Sequence, residues 1–132
     1  MELRDAVVVV IRDDFGHLLL ARRAEVDTFP GVWNLVTGAA NPGENLVDAC
    51  RRETKEEIGI DIQVTRKLWE STTSGAPFVL HWYEAQALSD NYRLDPTEVS
   101  ALRWIAPEEL QDAGLMFRES VEFLERYLKG DL

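Results

Sequence analysis

Gly38-Ala-Ala-Asn-Pro-Gly-Glu-Asn-Leu-Val-Asp-Ala-Cys-Arg-Arg-Glu-Thr-Lys-Glu-Glu-Ile-Gly-Ile60 is the stretch around which this chain is organised. It reads as a glycine-bearing loop feeding a helix from about Asn45 to Ile58, about four turns long, with Gly59 as a left-handed C-terminal cap. Glu53, Glu56 and Glu57 fall within an arc of about 100° on that helix. Val47, Cys50, Thr54 and Ile58 recur at spacings of three and four and form a neighbouring, mostly apolar stripe. One helix therefore offers a core-facing seam and, beside it, a patch of carboxylate. The patch has a cost: Glu53 with Glu57, and Glu53 with Glu56, each destabilise an isolated helix by about 0.2–0.5 kcal/mol. They also sit near the helix C-terminus, where the macrodipole favours cations. Arg52 can offset part of this by pairing with Glu56, and Asp48 can pair with Arg52. Periodicity alone leaves two readings open, a solvated acidic face or a site for a divalent cation, since Mg²⁺ prefers carboxylate and carbonyl oxygen.

The spacing as a whole goes further. Gly38, five residues, Glu44, seven residues and then Arg52-Glu53-Thr54-Lys55-Glu56-Glu57-Ile58-Gly59-Ile60 resembles the Nudix box. Every fixed polar and glycine position of that pattern is filled. The one departure is Thr54, where the pattern prefers a bulkier aliphatic residue; this alters packing and not chemistry. The resemblance implies hydrolysis of a nucleoside diphosphate linked to another moiety, on an α/β fold, a Nudix-type α/β/α sandwich with a mixed β-sheet. It implies Mg²⁺, with Mn²⁺ as the alternative, held by Gly38 through its carbonyl and by Glu53, Glu56 and Glu57. Glu44 either ligates a further ion or braces Arg52, the two forming the structural support of the box. A ligand carboxylate can itself take the proton from water, but some family members use a glutamate from a loop before the late strand. Glu98 occupies that place, with Asp95 as its competitor, so the expected catalytic set is Glu53, Glu56, Glu57 and Glu98. An arginine ending the second strand often contacts substrate phosphate in the family, which points to Arg23.

The 132 residues suit a single domain, expected to span 1–132 and able to bury a sizeable core. A net charge of −10 argues against a nucleic-acid or anionic-membrane surface. It does not argue against a small polyphosphate, because a bound cation inverts the local charge. The single cysteine, Cys50, cannot form an internal disulfide and reads as a small buried hydrophobe, consistent with a reducing cytoplasm. The apolar run Ala6–Ile11 is preceded by Glu2 and Asp5 and is too short for a signal segment, and nothing approaches a membrane span. The expected partner is thus a small nucleotide, with no nucleic acid and no membrane, on a monomer or homodimer.

Along the chain, Ala6–Ile11 reads as a strand buried on both faces. Arg12–Gly16 is turn chemistry, and His17–Ala21 resumes as a second strand, making a hairpin with the first. Arg22 and Arg23 point to opposite faces. Phe29-Pro30-Gly31 is a turn, and Val32–Val36 a short strand leading into the Gly38 loop. Asp61–Glu70 and Phe78–Leu88 read as long strands joined by Ser71–Pro77. Phe78, Leu80 and Trp82 share one face, and Val79, His81, Tyr83 and Ala85 the other. His81 reads as structural, and Trp82 and Tyr83 as core aromatics. Leu102–Ile105 is a short strand, Pro107–Leu110 opens a short helix, and Phe117–Lys129 is amphipathic, with Val121, Leu124 and Leu128 at helical spacing.

Two other functions compete. Isopentenyl diphosphate isomerase shares the implied fold, but its chemistry needs a catalytic cysteine away from the box helix, and Cys50 lies on it. A non-catalytic nucleotide-binding Nudix sensor is the other; such modules often lose box glutamates, and none is lost here. Substrate preference is expected in the loops 24–32, 71–77 and 89–99.

Overall fold

β1 (Arg4–Arg12) is the middle of the protein because its side chains are buried on both faces from Ala6 to Ile11. The computed structural model describes residues 2–25, 29–73, 75–112, 114 and 116–130. After β1 come β2 (Leu18–Arg23), β3 (Trp33–Asn34), β4 (Val36–Ala39), α1 (Leu46–Ile58), β5 (Ile62–Thr72), β6 (Phe78–Ala87) and β7 (Val99–Ile105). A 3₁₀ turn at Pro107–Asp112 and α2 (Arg118–Leu128) follow. β1 runs parallel to β6 over its full length, Arg4 opposite Phe78 and Arg12 opposite Gln86, and antiparallel to β4 through Ala6–Val9. The sheet is therefore mixed.

Alternation along β1 divides the core in two. Ala6, Val8 and Val10 face Leu80, Trp82 and the α2 residues Phe123, Leu124 and Tyr127. Val7, Val9 and Ile11 face Ala49, Cys50 and Ile58 of α1, with Tyr83 and Ala85 of β6. A helix thus covers each face, the expected α/β/α sandwich. On the α2 side Trp82 stacks on Phe123 at 4.1 Å between ring centroids, and Trp82 Nε1 donates to Ser71 Oγ at 2.9 Å.

Several local expectations change. β1 and β2 are joined by the expected turn but pair only at its mouth, Arg12 opposite Leu18. β2 then leaves to pair with β3 and β7, because the edge of β1 beyond that point is taken by β4. Val32–Val36 is two short strands separated at Leu35. β7 begins at Val99, earlier than the apolar run from Leu102 suggests. The buried face of α2 is Ser120, Phe123, Leu124 and Tyr127, leaving Val121 and Leu128 on its flanks. The aromatic rings set that rotation, because they supply more buried area than the aliphatic positions. No helix among the described residues is long and apolar enough to cross a membrane.

Candidate active site

The box helix begins and ends as its sequence dictates. Asn45 caps α1, its Oδ1 accepting from Val47 and Asp48 N–H at 2.9 and 3.2 Å. Gly59 closes it at φ 79°, its N–H donating to Lys55 and Thr54 carbonyls. Thr54, the departure from the family pattern, is fully buried and donates its hydroxyl to the Cys50 carbonyl at 2.8 Å. A hydroxyl thus fits the seam without an orphaned donor. Asp48 pairs with Arg51 at 3.2 Å and not with Arg52, which points the other way.

Arg52 is the hub of the acidic patch. It forks onto Glu44 through Nε and Nη2, both at 2.9 Å, and Nη2 also donates to the Ala39 carbonyl. Nη1 reaches Glu53 Oε1 at 3.0 Å and Glu56 Oε2 at 3.1 Å. The fork on Glu44, with the Asn41 N–H behind it, holds that carboxyl down at about 2. Glu44 therefore braces Arg52, and Arg52 in turn fixes Glu53 and Glu56. Glu56 is the outer member of the set, about half exposed and resting on the guanidinium.

Glu57 is the anomaly. It is 8% exposed, and its Oε2 has no hydrogen-bond partner. Burial first, then a hydrogen bond shared with Glu53 and the charges of Glu53 and Glu98, push its carboxyl up to about 10, with Arg23 opposing them. A buried carboxylate oxygen without a partner is costly. Among the described residues no three His, Cys, Asp or Glu side chains are placed together to hold a metal ion; Arg52 is drawn in among Glu44, Glu53 and Glu56. The orphaned oxygen of Glu57, beside Glu53, is nonetheless an all-oxygen donor set of the type a hard cation takes.

Gly38 lies inside β4 and not in a loop, and its conformation is ordinary. Its role is close approach: a methyl group at this position would overlap Glu53 Cδ and both carboxylate oxygens. The strand backbone and the Glu53 carboxylate therefore touch because nothing stands between them.

β2 and the segment before β7 complete the site. Arg22 and Arg23 diverge as adjacent strand residues do; Arg22 leans on Ser100 and Glu25, whereas the Arg23 guanidinium lies 5.7 Å over the Phe117 ring. A cavity of about 200 Å³ holds Glu57, Glu98 and Arg23 in one wall system. A second, of about 540 Å³, shares Arg23, Asn34 and Thr37 with it and runs past Gly38 between aromatic walls at Phe29, Phe78 and Phe117. Glu119 and Ser120 of α2 sit at its polar edge, and Ser120 Oγ donates to Asn34 Oδ1 at 2.5 Å. Phe29 adopts φ 55°, unusual for a residue with a side chain, and meets Phe117 edge-on at 5.4 Å. Sequence reading missed the aromatic walls Phe29, Phe78 and Phe117 as a group, because they come from three segments without common spacing. The loops 71–77 and 24–32 do border the aromatic cavity, although Val26, Asp27, Thr28 and Ser74 lie outside the described residues. His81 is away from it, buried, its Nε2 2.8 Å from Asp5 Oδ1.

The NUDIX domain family model matches residues 2–127, and the chain belongs to that family. The nucleoside triphosphatase NudI of Enterobacter sp. (strain 638) is 35% identical over 65 residues, 49% of this chain and 46% of that protein. The chain thus spans about half the length of that relative. The CTP pyrophosphohydrolase of Escherichia coli (strain K12) is 28% identical over 109 residues, 83% of this chain and 80% of that protein. The crystal structure of a NUDIX hydrolase from Nitrosomonas europaea superimposes with a TM-score of 0.86 at 22% identity, covering 98% of this chain and 72% of that one, and shares the fold.

Proposed function

We propose that residues 1–132 form one Nudix hydrolase domain, a Mg²⁺-dependent pyrophosphohydrolase that cleaves a diphosphate bond in a small cytoplasmic nucleotide. The observation that carries this reading is the orphaned Glu57 oxygen, buried beside Glu53 in a charged cavity that shares Arg23, Asn34 and Thr37 with an aromatic one. Gly38 through its carbonyl, with Glu53, Glu56 and Glu57, would hold the cation. When bound, it supplies Lewis acidity toward water and neutralises charge on phosphate oxygen. The chain's own residues do the rest. Arg23 binds the phosphate next to the bond that breaks, and the Phe29, Phe78 and Phe117 walls hold the base. Glu98 accepts the proton of the attacking water as its oxygen adds to phosphorus and the anhydride P–O bond breaks. Arg52 and Glu44 keep Glu53 and Glu56 in place. The names of the relatives favour a nucleoside triphosphate over ADP-ribose or a nucleotide sugar. Cys50 speaks against the isomerase reading: it lies on the inner face of α1, fully buried, with its thiol pushed up by burial to about 12.

The test is hydrolysis of a nucleotide panel with Mg²⁺, with products identified. Turnover of one triphosphate that stops on chelation supports the reading; tight binding without turnover of any member replaces it with the sensor. Gly38→Ala separates chemistry from folding. The atoms its methyl group meets first are the carboxylate end of the Glu53 side chain, which can swing away, so the thermal midpoint is expected to stay near wild type. Turnover is expected to fall about a hundredfold, as misplacement of a reacting group by about 1 Å does. Unchanged kcat would remove the close approach from the mechanism.

A further inference from the structure

Asp95 and Glu98 are the two acids nearest β7 in the segment before it, and the geometry gives them different work. Asp95 Oδ1 accepts from the Thr97 N–H at 2.9 Å and from Thr97 Oγ1 at 2.7 Å. Its carbonyl accepts from Glu98 and Val99 N–H at 3.0 and 2.8 Å. Pro96 follows it, so Asp95 caps a single helical turn that carries Glu98. The two Thr97 hydrogen bonds hold its carboxyl below the usual range, as an occupied cap acceptor should be. The Asp95 N–H donates to the Glu57 carbonyl at 2.9 Å, and the Glu98 carbonyl accepts from Ala24 N–H at 3.0 Å. The turn is therefore fastened at one end to the candidate metal-binding helix and at the other to the residue following β2. Its Glu98 lines the cavity that Glu57 lines; Asp95 does not.

We propose that Asp95 is the positioning residue of this enzyme: its side chain caps the turn at 96–98 and its N–H hangs that turn from the carbonyl of Glu57, holding Glu98 over the reacting phosphate. The inference rests on the hydrolase reading and on Glu98 as its proton acceptor. Asp95 touches no substrate and acts only through Glu98. What it provides is a hydrogen-bond acceptor at a turn, not a charge, and this separates it from a second base.

Steady-state kinetics at saturating Mg²⁺ on Asp95→Ala, Asp95→Asn, Glu98→Gln and the Asp95→Ala/Glu98→Gln pair test this. Glu98→Gln is expected to lower kcat about a hundredfold. Asp95→Ala is expected to lower kcat about tenfold with KM within about twofold, since the base is present but loosely held. In the Glu98→Gln background the same substitution should cost nothing further, because there is no base left to position. Asparagine caps as well as aspartate, so Asp95→Asn should recover most of the loss. Thr97→Val, which removes one donor to the cap and keeps the shape, should move kcat the same way by less, and serves if Asp95→Ala does not fold. A tenfold loss repeated in the Glu98→Gln background, or Asp95→Asn as impaired as Asp95→Ala, overturns the proposal. Wild-type protein inert toward every nucleotide overturns the hydrolase reading and this inference together. An active wild type with Glu98→Gln unimpaired overturns the inference alone.

Discussion

Glu57→Gln is expected to lower Mg²⁺-dependent kcat on the order of a thousandfold, the loss typical of removing one preorganised charge-stabilising group. The metal-free variant should unfold at the wild-type temperature or above it. Both halves follow from the same oxygen. Glu57 is buried, its Oε2 makes no hydrogen bond, and its carboxyl is pushed from 4.5 to about 10. At neutral pH without metal it is therefore a neutral acid, which glutamine imitates in size and polarity. The sign of the pH effect agrees: a carboxyl raised on folding contributes stability fully below about pH 4.5 and loses it as pH climbs toward 10. Glutamine, which does not titrate, should flatten that decline in chelator. Added Mg²⁺ should raise the midpoint of the wild type by mass action and leave the variant unmoved, since the proposed buried ligand is gone. Thermal unfolding with Mg²⁺ and with chelator reads this independently of turnover. A variant that keeps wild-type kcat, or a full Mg²⁺-induced rise, removes Glu57 from the metal site.

The fold and the helix carrying the patch were legible because they are written in local periodicities. The unbroken run Ala6–Ile11 demanded cover on both faces, and α1 and α2 provide it. The spacing from Gly38 to Gly59 placed Glu44, Arg52, Glu53 and Glu57 on neighbouring parts of one helix and its approach, where they meet. What the sequence concealed is set by pairing between distant segments. Gly38 has no unusual backbone angle, and its importance is visible only when the Glu53 carboxylate is seen lying on it. Asp95 and Glu98 are equivalent acids on paper; the Thr97 hydrogen bonds to one and the cavity around the other distinguish them. The aromatic cavity draws on the turn at Phe29, the start of β6 and the start of α2, which no single periodicity connects. Even the divergence of β1 and β2 depends on β4, which arrives later in the chain.

Gly59→Ala is expected to lower stability by about 3–4 kcal/mol and the thermal midpoint by about 10 °C. Gly59 adopts φ 79°, which costs a residue with a side chain about 1–2 kcal/mol. The larger share is steric. A Cβ here would stand 2.7 Å from Arg93 Cβ and 2.8 Å from the Arg93 N and O, so relief requires backbone to move. That backbone is in use: Arg93 N–H donates to the Ile58 carbonyl and Asp95 N–H to the Glu57 carbonyl, both at 2.9 Å. These bonds satisfy carbonyls that the end of a helix leaves without partners, and each lost bond costs about 0.5–1.5 kcal/mol. Gly43→Ala isolates the conformational share, because Gly43 has φ 76° and nothing within 4 Å of its Cβ position. It should lose only about 1–2 kcal/mol. Equal midpoints for the two variants would mean that the Arg93 contact carries no energy. A larger loss in Gly59→Ala should come with a fall in kcat beyond that of Gly43→Ala, measured well below either midpoint, because the segment pushed away is the one from which Glu98 is hung.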